Sequence, residues 1–260
     1  MKIEFNRHHQ KNREEILKCI DDFGNEGAVL YGGTRNLIKT FLLSDGLTIN
    51  VKAFKIPKFF NQFVYHYIRK SKARRSFENA NYLIDHGFCT PDPIAFIEES
   101  NWFGLQKSYY ISEQLEMDFM FRELTINTEH PEFEVILKEF ARFSFRLHEK
   151  GIEFIDNTSG NTLIKKEDNG CYGFYLVDLN RMNFHEVMSF EKRMNNMAKL
   201  TGNAKVLGVI CTEYAKLIGK DEQEVYETLK KKADDFQYSF HKRRAIKNKI
   251  LFWKTKKNKH

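Results

Sequence analysis

Apolar positions in the first part of the chain form short runs of the length typical of β-strands. Three such runs follow one another closely, and the Asp45-Gly46 pair separates the last two. An Asp-Gly pair between two apolar runs is a strong signal for a tight hairpin turn. We therefore expect three antiparallel strands, with Gly32 and Gly33 turning the chain between the first two. The three runs are Ala28–Tyr31, Asn36–Leu43 and Leu47–Phe54.

Helical spacing of apolar residues flanks these strands. Residues 1–26 carry such spacing, and residues 59–86 contain neither glycine nor proline. The second segment ends before Gly87, and glycine commonly follows the end of a helix. Both segments are therefore predicted to be helical, and two further apolar runs, 94–97 and 107–112, are predicted to be strands.

The second part of the chain is predominantly helical by the same criterion. Apolar residues over 133–147 recur every three or four positions, which predicts an amphipathic helix that ends near Gly151. Two short strands, 162–164 and 174–178, then flank a polar turn. From Arg181 onward the chain has no proline, and we expect three or more helices there.

This order of elements predicts an α+β fold with two lobes. A small antiparallel sheet with one main helix would form an N-terminal lobe over residues 1–114. A larger, mostly helical lobe would occupy residues 115–240, and residues 241–260 would form a basic tail. The length of 260 residues suits one large domain or two lobes of this kind.

The amino-acid composition excludes several classes of protein. The 24 Phe and 11 Tyr supply enough aromatic surface for a packed core, which excludes a disordered chain. No run approaches the roughly 18 apolar residues of a membrane span, and the first residues contain no apolar signal core. The cysteines are far apart, with no CxxC pair. We therefore expect reduced thiols, no zinc site and a cytoplasmic location.

The net charge of +7 is concentrated in two basic segments. Residues 241–260 hold nine Lys and Arg and no acid, so the rest of the chain is slightly acidic. Residues 52–75 hold eight more, and no acid occurs between Asp45 and Glu78. Such segments suit phosphate-bearing partners. Apolar residues at 250–253 interrupt the cations of the tail, which favours an anionic membrane surface over a solvated tail or a nucleic acid.

A set of polar residues in the second part of the chain carries candidate chemistry. Asp156 and Asn161 lie five positions apart on a polar loop between a helix and a strand, and Asp178 ends the next apolar strand. Each residue alone is compatible with a turn or a helix cap. Lys52, late in the third strand, adds a cation to this set and favours a functional site.

The helix, the D-x-x-x-x-N loop, the strand and the strand-terminal Asp together resemble the catalytic half of the protein-kinase-like fold. The resemblance implies that Asp156 orients or deprotonates the acceptor hydroxyl. It implies that Asn161 and Asp178 hold Mg²⁺ against ATP, since oxygen ligands suit that hard cation. Lys52 would contact the ATP phosphates, and Glu78 on the following helix would hold Lys52.

The same resemblance assigns the nucleotide contacts. Gly32 and Gly33 stand where the phosphate-covering glycine loop belongs, and Ser112–Leu115 would be the hinge whose backbone meets adenine, with Glu113 and Leu115 as its contacts. Two alternatives remain open. Lys55 is an alternative to Lys52 as the lysine that contacts the phosphates. An ion pair with Arg74, one helical turn away, is an alternative role for Glu78.

Within that fold the sequence is most similar to the lipopolysaccharide kinase (Kdo/WaaP) family, over about residues 28–185. The resemblance implies ATP- and magnesium-dependent phosphorylation of a sugar hydroxyl, Kdo or heptose, of the lipopolysaccharide inner core at the inner face of the inner membrane. Arg74, Arg75 and Arg181 are candidate contacts to substrate phosphates. The matching stretches are Asn50–Lys55, Arg69–Ala80, Gly87–Ala95, Leu147–Ile152 and Val177–Arg181.

Three features depart from the pattern of this fold. Phe154 stands where a kinase usually has His, the glycine turn is short, and Asp178 is followed by Leu-Asn. The alternatives are therefore a kinase of the same fold that acts on another small-molecule or protein hydroxyl, and a membrane-associated pseudokinase. A nucleic-acid-binding protein is disfavoured because the sequence has no reader motif. The sequence does not indicate an oligomeric state.

Overall fold

The computed structural model describes residues 1–33, 36–55, 70–102 and 104–257, which fall into two compact units. The first unit comprises Met1–Asp118 together with Leu163–Met182. The second unit comprises Phe119–Thr162 and the chain from Asn183 onward.

A six-stranded antiparallel sheet forms the first unit, in the order β1-β5-β6-β4-β3-β2. The predicted hairpin at Asp45-Gly46 is confirmed, with the Leu43 N–H donating to the Leu47 carbonyl oxygen at 2.9 Å. Gly46 has φ 87°, the left-handed region in which glycine is at no steric disadvantage. The strands are β1 Lys2–Phe5, β2 Ala28–Gly32, β3 Asn36–Leu42, β4 Thr48–Phe54, β5 Pro93–Asn101 and β6 Gly104–Glu113.

The N-terminal segment differs from the prediction. Residues 1–26 were expected to be helical, but Lys2–Phe5 form strand β1, which pairs with β5. A 3₁₀ turn over Arg7–Asn12 leads into helix α1, Arg13–Asp21. The strand forms because the edge of β5 offers backbone hydrogen bonds from a partner about 90 residues away, which local spacing does not reveal.

Two clusters of buried residues surround the sheet. The larger one packs Ile16 and Ile20 of α1 against strand residues such as Ile49 and Ile111. The smaller one packs helix α2, Lys72–Asp85, against Phe54 and Phe96 through Ala73 and Phe77. Ser71 caps α2 by accepting a hydrogen bond from the Arg74 N–H at 3.0 Å. The earlier part of the helix predicted over 59–86, up to residue 69, lies outside the described residues.

The hairpin of β9 (Thr162–Lys166) and β10 (Tyr172–Leu176) follows the two predicted short strands closely. The Leu176 N–H donates to the Cys89 carbonyl oxygen at 3.1 Å, and Thr90 Oγ1 donates to the Leu176 carbonyl oxygen at 2.8 Å. These contacts attach β10 to the residues that follow α2 and place the end of β10, with Asp178 just beyond it, in the first unit.

The second unit is mostly helical, as predicted. Helix α4 buries one face along its whole length, and it ends at Glu149, so the stop predicted near Gly151 is confirmed. Gly151 has φ 67°, and a Cβ at this position would lie 1.7 Å from the carbonyl oxygen of His185. This close approach admits only glycine. The helices are α3 Phe121–Ile126, α4 Phe133–Glu149, α5 Phe190–Met197, α6 Ala204–Ile218 and α7 Glu222–Lys257, and the short strands are β7 Phe119–Met120, β8 Ile152–Phe154 and β11 Met182–Phe184.

The basic segment expected to be a tail continues α7 as far as Lys257. Val225, Leu229 and Ala233 are buried at helical spacing, whereas the side chains of residues 241–246 are exposed. In the described part of the chain, no helix combines the length and the apolar character needed to cross a membrane.

Candidate active site

The loop between β8 and β9 brings together the predicted pair Asp156 and Asn161. Asn161 Nδ2 donates to the Asp156 carbonyl oxygen at 2.9 Å, and the Thr158 N–H donates to the same oxygen at 2.6 Å. The amide group of Asn161 thus fixes the turn that carries Asp156. Since its nitrogen is used in this way, its oxygen is the atom of Asn161 that can bind a cation.

Asp178 follows β10 in an unusual backbone conformation. Its φ of 62° is the one positive value for a non-glycine residue among the described residues. Asp tolerates the left-handed region better than most residues, but the conformation is still strained. The Asp178 carboxylate accepts hydrogen bonds from Lys52 Nζ and, at 2.9 Å, from Asn180 Nδ2. Strained residues of this kind are common at functional sites.

Lys52 lies on β4, and its side chain is only 12% exposed. It forms an ion pair with Asp178, 126 positions later in the chain. Lys55, the alternative candidate, is exposed just after the same strand. The structure therefore brings together two of the predicted site residues, Lys52 and Asp178, within the first unit.

Glu78 has different partners from those predicted. It accepts hydrogen bonds from Lys70 Nζ and Arg74 Nε, both at 2.8 Å, and Lys52 is paired with Asp178 instead. Burial favours the neutral acid, but these two cationic donors outweigh it, so the pKa of Glu78 lies below its ordinary value. Arg74 precedes Glu78 by one turn of α2, which makes it the local partner that the sequence offered as the alternative.

Helix α2 reaches the Asp178 segment through the residue after Glu78. Asn79 Nδ2 donates to the carbonyl oxygen of Leu179 at 2.6 Å, which fixes the backbone just after Asp178. The sequence analysis did not single out Asn79. An asparagine on an amphipathic helix resembles an ordinary surface residue, and only its register relative to Glu78 could have drawn attention to it.

The three arginines predicted to meet substrate phosphates differ in their surroundings. Arg74 is engaged by Glu78, and Arg75 Nε donates to the Ser71 carbonyl oxygen at 3.4 Å. Arg181, close after Asp178, is exposed. All three belong to the first unit, which also contains Lys52 and Asp178.

The glycine turn is tightly packed at one of its two glycines. The Gly33 N–H donates to the Asn36 carbonyl oxygen at 3.0 Å, and a Cβ on Gly33 would lie 2.7 Å from the Tyr31 ring. A Cβ on Gly32 would make only ordinary van der Waals contacts, at 3.9 Å, with the side chains of Val29 and Leu37. Residues 34 and 35 of this turn are outside the described part of the chain.

Some backbone groups of the predicted hinge residues already form hydrogen bonds within the protein. The Glu113 N–H donates to the Asp92 carbonyl oxygen at 2.8 Å, and Gln114 Nε2 donates to the Leu115 carbonyl oxygen at 3.1 Å. A carboxylate oxygen of Asp92 lies within hydrogen-bond distance of His9 Nε2, at 2.8 Å. A carboxylate oxygen of Glu113 lies 4.0 Å from the same nitrogen. His9 is buried, and it anchors the N-terminal segment beside Asp92 and Glu113.

Among the described residues, His9, Asp92 and Glu113 offer one nitrogen and two carboxylate oxygens within 4.8 Å of one another, a donor set that could hold a metal ion. His9 Nε2 already lies 2.8 Å from an Asp92 carboxylate oxygen. In the first unit, Asp178 offers a carboxylate oxygen, which is the hard-oxygen donor chemistry that magnesium requires. In the second unit, Asn161 offers an amide oxygen.

An antiparallel N-terminal sheet with helices α1 and α2 packed on it, together with a mostly helical unit, defines a protein-kinase-like fold, and the predicted fold class is confirmed. A solved structure described as WaaP in complex with acyl carrier protein is similar, with a TM-score of 0.62 and 16% sequence identity. The similarity covers 90% of this chain and 99% of that chain. The predicted resemblance to lipopolysaccharide kinases is thus confirmed at the level of the fold.

Rio2 kinase from Chaetomium thermophilum, solved as an ADP/Mg²⁺-phosphoaspartate complex, matches with a TM-score of 0.49 and 12% identity, over 83% of this chain and 65% of that chain. A pseudokinase structure matches with a TM-score of 0.48 and 12% identity, over 85% and 95% of the two chains. At these TM-scores, neither bears on the function. No protein-family model and no curated protein matches the chain.

Proposed function

We propose that the protein is an ATP- and magnesium-dependent phosphotransferase whose acceptor is a sugar hydroxyl, Kdo or heptose, of the lipopolysaccharide inner core. The observation that carries the proposal is the pairing of Lys52 with a strained Asp178 at the end of β10. The Lys52 side chain is only 12% exposed, and the left-handed conformation of Asp178 carries backbone strain. Both features support Lys52 as the phosphate-binding lysine and Asp178 as the metal-binding residue that the kinase-like fold uses.

Asp156 is the proposed catalytic base. It accepts the proton of the acceptor hydroxyl as the hydroxyl oxygen bonds to the γ-phosphorus and the bond to the ADP oxygen breaks. Since the transition state of phosphoryl transfer is loose, most of the acceleration comes from positioning and electrostatics. The hydrogen bonds from Thr158 and Asn161 to the Asp156 backbone supply that positioning.

The negative charge of the phosphates is proposed to be stabilised, directly or through magnesium, by Lys52, Asn161 and Asp178. Lys52 contacts the α- and β-phosphates, while Asn161 and Asp178 supply oxygen ligands for magnesium. When bound, the metal neutralises phosphate charge and orients the phosphates. The proposed role of Glu78 in orienting Lys52 requires Glu78 to exchange partners, because it now binds Lys70 and Arg74.

The nucleotide contacts are proposed from the glycine turn and the hinge. The backbone of Gly32 and Gly33 would cover the phosphates. In the hinge, the Glu113 N–H is already donated to Asp92, so Glu113 would contact adenine through its carbonyl oxygen. Leu115 would offer its N–H, since its carbonyl oxygen already accepts from Gln114.

Positive charge near α2 supports a phosphate-bearing acceptor. Lys72, Arg74 and Arg75 lie in the first turn of this helix, where the helix dipole is also positive and where no acidic residue occurs. Together with the exposed Arg181, they would attract the phosphates of a core glycolipid.

The basic end of α7 is proposed to hold the protein at the cytoplasmic face of an anionic membrane. Lys242, Arg243 and Arg244 are exposed there, beside the exposed Phe240 and Ile246. A helix with this mixture suits a lipid surface at about 1 kcal/mol per basic residue. An acidic protein is the competing partner, since the WaaP structure contains acyl carrier protein.

The test is transfer of γ-labelled phosphate to a purified acceptor. Protein with ATP and magnesium is incubated with inner-core lipopolysaccharide, with the same glycolipid lacking Kdo and heptose, and with no acceptor. The proposal predicts label only in the complete core, and none with EDTA or with Asp178→Asn. Label in other alcohols but not in the core would assign another acceptor. Magnesium-dependent ATP binding without any transfer would indicate a pseudokinase, and absence of ATP binding would refute the site.

A further inference from the structure

The backbone that leads into Asp156 is held by side chains from α5 and the residues just after it. Asn196 Nδ2 donates to the Phe154 carbonyl oxygen at 2.7 Å, and Lys199 Nζ donates to the Ile155 carbonyl oxygen at 2.5 Å. With the hydrogen bonds to the Asp156 carbonyl oxygen, three consecutive carbonyl groups on the approach to the proposed base have side-chain donors. All of these contacts lie within the second unit.

Asn196 contacts the Asp156 loop through both polar atoms of its side chain. It is only 3% exposed, and its Oδ1 accepts from His148 Nε2 and from Asn157 Nδ2, both at 3.2 Å. Asn157 directly follows Asp156, so Asn196 contacts the loop on both sides of the proposed base. Because its amide nitrogen and oxygen are both engaged, the orientation of the Asn196 side chain is fixed.

His148 orients Asn196 in turn. His148 is 1% exposed, and its Nδ1 lies 2.6 Å from the hydroxyl oxygen of Tyr214 on α6. Burial lowers the pKa of His148 to about 4, so the ring is neutral near pH 7. A neutral ring that accepts from the Tyr214 hydroxyl at Nδ1 donates from Nε2, which matches the acceptor oxygen of Asn196.

Phe154 explains why such a brace is needed. Its side chain is apolar and 1% exposed, so it contributes packing but no hydrogen bond to the loop. The polar support of the loop comes instead from outside it, through Asn196.

We propose that Asn196 is a positioning residue for the Asp156 loop, which holds the proposed base in register through the Phe154 carbonyl and Asn157. The inference rests on the proposed phosphotransferase function. A displacement of about 1 Å in a catalytic group commonly costs about a hundredfold in rate, so the loss of this contact should appear in turnover.

The experiment compares Asn196→Ala with Asn195→Ala, a matched change at an exposed neighbour on the same helix. Asn196→Ala should lower kcat roughly a hundredfold and leave the KM for ATP within about twofold, because the nucleotide contacts are made elsewhere. Asn196→Asp keeps the shape and the acceptor oxygen but removes the donor to Phe154, and it should lose kcat to a similar degree. Asn195→Ala should match the wild type in both constants.

Hydrogen exchange of the peptide over residues 152–161 gives a readout that does not depend on activity. Its amides should exchange about tenfold faster in Asn196→Ala than in Asn195→Ala, with the other peptides of the second unit unchanged. Unchanged kcat, or faster exchange across the whole unit, would overturn the inference. If the wild type transfers no phosphate at all, the proposed function fails, and the exchange of this peptide alone decides whether Asn196 positions the loop.

Discussion

Asp178 illustrates how a single residue connects backbone strain to chemistry. A left-handed conformation costs a non-glycine residue roughly 1 to 2 kcal/mol, and Asp178 adopts it with φ 62°. The conformation accompanies hydrogen bonds from Lys52, Asn180 and, to the next carbonyl group, Asn79. These contacts offset the strain and hold the Asp178 carboxylate just beyond the end of β10.

The choice between Lys52 and Lys55 can be tested directly. Lys52→Met should raise the dissociation constant for magnesium-ATP by about tenfold or more, because it removes a largely buried cation that pairs with Asp178. Lys55→Met, a matched change at an exposed position three residues later, should leave the affinity within about twofold. Titration of a fluorescent ATP analogue measures both constants. Equal losses in the two variants would contradict the assignment of Lys52.

At the same scale, the sequence predicted residues better than their partners. Lys52 and Asp178 were predicted as site residues from their positions near strand ends, and the structure pairs them with each other, whereas the sequence had paired Lys52 with Glu78. Glu78 was identified as well, but its partners are Lys70 and Arg74, since charged side chains pair with whichever cation the local geometry presents. Asn79 and Asn196 were not identified, because their contacts depend on tertiary packing and asparagine carries no local signal for it.

At the scale of elements, the sequence predicted those that depend on local signals, but it did not predict a strand that pairs with a distant strand. The Asp-Gly turn determined the β3–β4 hairpin, and the apolar spacing over 133–147 determined α4 within two residues. Strand β1 was missed because its partner, β5, lies about 90 residues away. Hydrophobic spacing reports which face of an element is buried, but it does not report which distant edge the element will meet.

The junction of α4, α5 and α6 predicts a pH dependence of stability. His148 is neutral and buried against Tyr214 and Asn196, with Arg193 lowering its pKa and Glu153 raising it. A histidine pKa lowered from 6.5 to about 4 contributes stability that is complete above pH 6.5 and lost as the pH falls towards 4. The loss should reach roughly 3 kcal/mol at pH 4, because each pKa unit corresponds to about 1.4 kcal/mol.

Urea unfolding between pH 7 and pH 4 measures this dependence. His148→Gln should be less stable than the wild type at pH 7, and the difference between the two proteins should shrink as the pH falls. The matched control is His86→Gln, at an exposed position in the first unit, and it should follow the wild type throughout. A constant difference between His148→Gln and the wild type would show that His148 does not remain neutral in the folded protein.

At the scale of the whole molecule, the fold is shared with a solved protein of very different sequence. The similarity to the WaaP structure covers nearly all of that chain at only 16% identity, and no family model matches. What the two chains share is the fold, which the order of elements along the sequence had predicted. Charge adds a further feature, since the cations gather near α2 and on α7 rather than spreading evenly.

The central claim is that Asp156 is the catalytic base of phosphoryl transfer, and the most direct test is the turnover of Asp156→Asn. The control is Asp168→Asn, at an exposed position in the β9–β10 turn. The account predicts that Asp156→Asn lowers kcat by about a hundredfold to ten-thousandfold, with the dissociation constant for ATP within about twofold of the wild type. It predicts wild-type constants for Asp168→Asn. A kcat for Asp156→Asn close to that of the wild type would contradict the account.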